Sequence, residues 1–206
     1  MTKIKICGLC RTVDIEYANQ ALPDYVGFVF APSRRQVTRE MAAGLRAKLD
    51  ERITPVGVFV REPLEHIVQL YHQGVIRMAQ LHGQESGRYI DELIALCDIP
   101  IIRAIPIDDA DGAVGLPQLL PSKADYLLFD YHEPGSGRRF DWSILAGLSQ
   151  PFFLAGGITG ATLDDALACK PYCVDLSSGA ETNGVKDAAK IQNLVQRAHA
   201  YPGGSR

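Results

Sequence analysis

Long apolar runs are missing from this 206-residue chain. Nothing approaches the ~20 consecutive apolar residues of a membrane-spanning helix, and the opening MTKIKICG lacks the apolar segment of a secretion signal. No membrane partner is expected, and the expected location is cytoplasmic. Basic runs are missing as well: the formal net charge is −3, with Lys and Arg scattered. A sequence-independent grip on nucleic acid needs many cations at phosphates, so none is expected. Cysteine is sparse and odd in number (Cys7, Cys10, Cys97, Cys169, Cys173), which argues for reduced thiols rather than a disulfide framework. No Pro/Ser/Gly linker divides the chain, and only the terminal PGGSR reads as a tail, so residues 1–206 are expected to form a single domain.

Short β-branched or aromatic runs are what the chain has instead, and they recur with helical segments between them. KIKIC (3–7), YVGFVF (25–30), TPVGVFV (54–60), VIRMAQ (75–80), IPIIRAI (99–105), DYLLFD (125–130), PFFLAG (151–156) and YCVDL (172–176) read as eight strands. Most are nearly continuous apolar runs, as parallel strands covered on their outer face require. Between them, Leu64, Ile67, Val68 and Tyr71 fall at helical spacing, as do Ile90, Leu93, Ile94 and Cys97, and Ile191, Leu194, Val195 and Ala198. Thr162 with Asp165 resembles a capping box, and 109–120, broken by glycines and a proline, reads as a short or interrupted helix. Eight strands alternating with helices predict a (β/α)8 barrel. A doubly wound open sheet is the alternative. No apolar helix stripe is left over once the barrel is covered, so a monomer is expected, with a homodimer as the alternative.

Barrel enzymes place their chemistry at the C-terminal strand ends. In this chain those ends gather Cys7, the APSRR stretch, Gln80-Leu81-His82-Gly83, Asp130, Ala155-Gly156-Gly157 and Asp175-Leu176-Ser177-Ser178-Gly179. The glycines and serines after strands 7 and 8 sit where barrels frequently bind phosphate; either motif alone could be a simple turn, but together they point to a small phosphorylated ligand. Arg34 and Arg35, after strand 2, are either solvated surface or the guanidinium fork that a substrate carboxylate would need.

Cys7 opens a Cys-x-x-Cys with Cys10, which leaves a redox pair, half of a zinc site, an inert buried cysteine or a working thiol. Zinc would need two further ligands. Cys169 and Cys173 could supply them only if a helix face and a strand interior converged, so no zinc is expected. Lys5 shares strand parity with Cys7, about 7 Å below it. A lysine inside a barrel needs a counter-charge, and Asp175, on the strand that closes against the first, is the nearest candidate. A cation there would favour the thiolate, and bringing the thiol pKa from ~8.5 down to ~7 takes about 2 kcal/mol of differential stabilisation. Asp130 either caps the following loop or acts as an acid; raising its carboxyl to a useful range takes about 3 to 4 kcal/mol from burial and neighbouring negative charge. A thiolate and a carboxylic acid across one site would suit a proton-transfer isomerisation.

The strings KICGL, GFVF followed by SRRQV, VGVFV, QLHG, LLFD, GSGRRFDW, LAGGI, and VDLSSGAE followed by GVKD occur in this order from Lys3 to about Ile191. In order and spacing the chain resembles the phosphoribosylanthranilate isomerases. The resemblance implies an Amadori rearrangement of N-(5-phosphoribosyl)anthranilate to 1-(2-carboxyphenylamino)-1-deoxyribulose 5-phosphate in tryptophan biosynthesis, without cofactor or metal. By the same resemblance Cys7 is the general base at C2 of the sugar, and Asp130 is the general acid at the ring oxygen. Arg35 contacts the anthranilate carboxylate, Asp175 binds substrate, and Gly156, Gly157, Ser177 and Ser178 bind phosphate. Arg34 stands where a proline is frequent, Cys10 where a threonine is, and GAE replaces the more usual GVE. The rival readings are the related sugar-phosphate isomerase of histidine biosynthesis, whose acid and base are both aspartates and whose substrate carries two phosphates, and a non-catalytic barrel that binds a sugar phosphate.

Overall fold

In the computed structural model, which describes residues 1–107, 123–131, 139–145, 148 and 150–202, eight parallel strands close into a barrel. They are β1 (Lys3–Cys7), β2 (Tyr25–Val29), β3 (Thr54–Phe59), β4 (Met78–Leu81), β5 (Ile101–Ile107), β6 (Tyr126–Tyr131), β7 (Phe152–Leu154) and β8 (Cys173–Leu176). Each pairs with the next, and β8 returns to β1 with Lys3 opposite Cys173 and Lys5 opposite Asp175. All eight expected strands are present. β4 begins three residues later than the apolar pattern suggested, because the amides of Val75 and Ile76 still donate to the Leu70 carbonyl at the preceding helix end.

The helices are α1 (Thr12–Ala21), α2 (Arg39–Arg46), α3 (Leu64–His72), α4 (Gly87–Leu96), α5 (Leu163–Ala168) and α6 (Ala188–Ala200). Side chains stop or start several of them: Thr38, Ser86 and Asp187 each accept a first-turn amide at the N-caps of α2, α4 and α6. The capping box expected at Thr162 does not form. The Thr162 hydroxyl instead accepts from the Thr159 amide and donates to the Gly157 carbonyl, which ties the helix start to the loop after β7. On α4, Ile90 and Leu93 are buried but Ile94 faces solvent, so the apolar stripe is narrower than the spacing implied. The 109–120 segment lies outside the described residues. Among the described residues no helix is long and apolar enough to cross a membrane.

Strand alternation sorts the side chains into two cores. Ile4, Ile6, Phe28, Phe129 and Val174 face outward and pack under helix residues such as Ile15, Ile67, Leu93 and Leu194. Tyr25, Val56, Met78, Ile102, Leu128, Phe153 and Cys173 face inward and fill the lower half of the barrel. Above that plug, the inward positions turn polar: Lys5, Gln80 and Asp175 are buried there. That switch from apolar to polar within one interior marks the site.

Candidate active site

The polar layer starts from Lys5, which is fully buried on β1. Its ammonium donates to Asp175 Oδ2 at 2.7 Å and to Gln80 Oε1 at 2.8 Å. The counter-charge anticipated from strand parity is thus the one found. Burial alone would lower the Lys5 pKa, but the Asp175 charge outweighs it, so the ammonium stays protonated. The other Asp175 oxygen, Oδ1, is buried and has no hydrogen-bond partner among the described residues, which leaves an acceptor open to a ligand.

Cys7 stands one inward position above Lys5, and Gly27 of β2 is its register partner. A Cβ on Gly27 would lie 2.6 Å from the Cys7 Sγ, so the missing side chain is what makes room for the thiol. The thiol does not have the lowered pKa expected from Lys5. Its depth in the barrel raises it, Lys5 only partly offsets this, and Asp175 adds to the rise while Lys186 counters it. The resting group is therefore a neutral thiol at neutral pH. Cys10 is half-buried against the outer core, with its amide bonded to Asp14, and both cysteines are free. Cys169 bonds back to the Asp165 carbonyl on α5, and Cys173 lies in the apolar plug below Asp175. These four thiols occupy four different environments and do not converge as zinc ligands would have to.

Asp130, at the end of β6, faces the same space. Burial first, and the negative charge of Asp175 second, push its carboxyl up to about 7, against the pull of the Tyr131 amide, which donates to Oδ1 at 2.8 Å. His82 Nε2 lies 3.6 Å from Asp130 Oδ2. Burial lowers the His82 pKa, and the ring is neutral; its Nδ1 lies 2.8 Å from the Gln80 amide nitrogen. With Gln80 Oε1 accepting from Lys5, its Nε2 donates, so Nε2 of His82 carries the proton and points at Asp130.

The loops after β7 and β8 close one side. Gly156 and Gly157 both adopt positive φ, 84° and 64°, the left-handed region where a Cβ is penalised. A Cβ on Gly179 would lie 2.0 Å from the Ile158 carbonyl, so this glycine lets the two loops touch. The amides of Gly156, Gly157 and Ser178 bond to no other described residue and are available to an anion. The Ser177 hydroxyl is committed elsewhere, donating to the Cys7 carbonyl at 3.1 Å.

Arg35 enters from the loop after β2 and lines the cavity, whereas Arg34 points outward and is more than half exposed. Both guanidinium groups are held by Glu181, a buried carboxylate on a hairpin that follows β8, and Lys186 of the same hairpin joins them. Burial alone would raise the Glu181 pKa, but the bonds from Arg35 and Lys186 bring it down to about 2.

A cavity of about 300 Å³ is lined by Cys7, Arg35, Asp130, Gly156, Gly157, Asp175, Ser177 and Ser178 together. All eight residues singled out from the sequence meet there. A larger cleft of about 690 Å³ lies outside the barrel, between Trp142 and α5, and contains none of them. Sequence reasoning placed Gln80 at the rim without a role and missed Glu181 and Lys186 as site residues. The signals were available: Gln80 shares the inward parity of the polar layer, and Asn183-Gly184 between Glu181 and Lys186 is a strong hairpin dipeptide. Residues 135–138 of the GSGRRFDW string lie outside the described residues.

The family model for N-(5'-phosphoribosyl)anthranilate (PRA) isomerase matches residues 4–197. A curated N-(5'-phosphoribosyl)anthranilate isomerase from Endomicrobium trichonymphae is 43% identical over 201 residues, covering 95% of this chain and 98% of that protein. The crystal structure of phosphoribosyl anthranilate isomerase from Thermus thermophilus superimposes with a TM-score of 0.86 at 33% identity, covering 97% of this chain and 99% of that one. A phosphoribosyl anthranilate isomerase in complex with reduced 1-(o-carboxyphenylamino)-1-deoxyribulose 5-phosphate gives a TM-score of 0.83 at 28% identity, covering 98% and 100% of the two chains.

Proposed function

The chain belongs to the N-(5'-phosphoribosyl)anthranilate isomerase family, and from that premise we propose that Cys7 and Asp130 act as base and acid in its Amadori rearrangement. The enzyme is an aldose–ketose isomerase of tryptophan biosynthesis, converting N-(5-phosphoribosyl)anthranilate to 1-(2-carboxyphenylamino)-1-deoxyribulose 5-phosphate. The loops at Gly156-Gly157 and Ser177-Ser178 hold the phosphate, Arg35 meets the anthranilate carboxylate, and the open Oδ1 of Asp175 accepts a substrate hydroxyl.

Asp130, protonated, donates to the ring oxygen. The bond from C1 to that oxygen breaks with its electron pair going to oxygen, and the anthranilate nitrogen lone pair forms the C=N bond. Cys7, as the thiolate, takes the C2 proton; the C2–H pair becomes the C1=C2 bond and the C=N pair returns to nitrogen. The enol so formed moves its hydroxyl proton to C1 and becomes the ketone. Asp130 ends as the carboxylate and Cys7 as the thiol, so the pair holds one proton before and after, and solvent exchange resets it. None of these steps calls for a metal or cofactor. The small phosphorylated substrate is met in the cytoplasm by a monomeric, single-domain barrel.

One observation carries this reading: a carboxyl held at about 7 and a thiol above a buried ammonium line the same cavity. The histidine-pathway isomerase fits less well, since the β1 position holds a cysteine rather than an aspartate. Cys7→Ala and Asp130→Asn are expected each to abolish the decay of substrate fluorescence in a turnover assay while leaving the barrel folded. Near-normal turnover in either variant would overturn the assignment, and fluorescence perturbed but never consumed by the native chain would favour a binding barrel.

A further inference from the structure

Glu181 poses a problem that the reaction does not answer. It is a buried carboxylate beside a cavity built for anions, where a negative charge opposes binding. Its four hydrogen bonds suggest what it does. Oε1 accepts from Arg35 Nε at 2.6 Å and from Lys186 Nζ at 2.7 Å; Oε2 accepts from Arg35 Nη2 at 2.9 Å and from Arg34 Nη2 at 2.7 Å.

A guanidinium has two edges able to grip a carboxylate, one through Nε and one through the two terminal nitrogens. Glu181 occupies the first edge of Arg35. Nη1, on the second, has no hydrogen-bond partner among the described residues, and the residue lines the cavity beside Cys7. The stem is fixed as well: a Cβ on Gly8 would lie 2.3 Å from Arg35 Cδ, so the arginine runs over the bare backbone next to Cys7. The hairpin holding Glu181 (Glu181–Thr182 paired with Val185–Lys186) is itself tied to the strand ends. Lys186 donates to the Ser177 carbonyl at 3.0 Å, and the Ser177 hydroxyl donates to the Cys7 carbonyl.

We propose that Glu181 is a positioning residue that holds the terminal edge of Arg35 toward the substrate carboxylate, making the hairpin after β8 the determinant of selectivity for a carboxylated aryl amine. The proposal rests on the reading that Arg35 is the carboxylate contact. Two simpler roles predict different signs. If Glu181 only tempers the local positive charge, removing its charge would tighten every anion. If it only supports the fold, removing it would weaken every ligand alike. Positioning weakens the carboxylate end alone.

The test uses the full-length chain and three competitive inhibitors: reduced 1-(o-carboxyphenylamino)-1-deoxyribulose 5-phosphate, the same compound without its carboxyl group, and inorganic phosphate. In Glu181→Gln, Ki for the carboxylated compound and KM for substrate are expected to rise at least about tenfold, the loss of one hydrogen bond to a charged group. The other two Ki values stay unchanged or fall, and kcat falls less than kcat/KM. Glu181→Asp, which keeps the charge but shortens the arm, gives an intermediate loss and serves as the test if Glu181→Gln does not fold. In an Arg35→Met background Glu181→Gln adds nothing further. Equal weakening of all three inhibitors, or tighter binding of the carboxylated one, would overturn the proposal. If Arg35→Met fails to separate the two organic inhibitors while Glu181→Gln does separate them, the Arg35 reading has failed and the hairpin acts on the carboxylate by another route.

Discussion

Asp130→Asn should stabilise the barrel while it destroys turnover, and the stabilisation should depend on pH. Burial and Asp175 raise the Asp130 carboxyl from 3.8 to about 7. Because the folded-state pKa lies above the unfolded one, folding takes up a proton between those values, and stability falls as pH rises through that window. Each unit is worth about 1.4 kcal/mol, so the full window costs about 4 kcal/mol, of which about 3 falls between pH 5 and 7. Asparagine does not titrate, keeps an oxygen for the Tyr131 amide and fills the same volume. Any constant cost of its extra N–H groups cancels when one variant is compared with native protein at two pH values. Urea unfolding at pH 5 and at pH 8 therefore measures the term directly. The advantage of the variant should grow by about 3 kcal/mol from the lower to the higher pH. A difference that stays flat within about 0.5 kcal/mol would mean that Asp130 ionises freely in the folded protein and cannot be held as an acid at neutral pH.

Two further outcomes follow from the same geometry. The profile of kcat/KM against pH should be bell-shaped, rising to about pH 7 as the Asp130–Cys7 pair loses its first proton and falling only above the ordinary thiol range as it loses the second, because burial raises Cys7; an acid limb near the ordinary aspartate value would refute the buried-acid assignment. Gly27→Ala puts a methyl group 2.6 Å from the Cys7 Sγ and must displace the thiol. The kcat should drop by about 10²-fold, the order expected for a 1 Å misplacement, with Ki for inorganic phosphate unchanged; native-like kcat would mean that the thiol position does not matter.

The barrel was legible because its strands are short, continuous apolar runs rich in β-branched and aromatic residues, which stand apart from the periodic helical segments between them. The charge pair of Lys5 and Asp175 was legible for a related reason: side-chain alternation plus closure of β8 on β1 left few places for a counter-ion. What alternation could not supply was depth. Lys5 lies beneath Cys7, as read, yet the sign of the Cys7 shift depends on how much barrel surrounds the thiol, a sum over all eight strands that no local pattern encodes. The Thr162 cap failed for a local reason: its hydroxyl accepts from the Thr159 amide of the preceding loop and not from its own helix. Glu181 lay in plain view in the string VDLSSGAE, but its arginine partners are 146 and 147 positions away in sequence, and only the meeting of two rim loops brings them together.

Burial acts in opposite senses on the two reacting groups. It lifts Asp130 into the range of a useful acid, and it lifts Cys7 away from that of a ready base. The conflict is smaller than it looks once the charges are considered together. Lys5 neutralises Asp175, so the cavity has one site's worth of negative charge to place, and a carboxylate at Asp130 together with a thiolate at Cys7 would exceed it. Between about pH 7 and the thiol range the pair holds a single proton, mostly on sulfur. The reacting form, thiolate with carboxylic acid, is its tautomer, reached without any change in net charge. Lys5 below and Lys186 to the side both favour the thiolate, which keeps that tautomer within reach. The buried cations therefore serve less to ionise the cysteine outright than to let one negative charge cross from Asp130 to Cys7 while the substrate, itself an anion, occupies the space between.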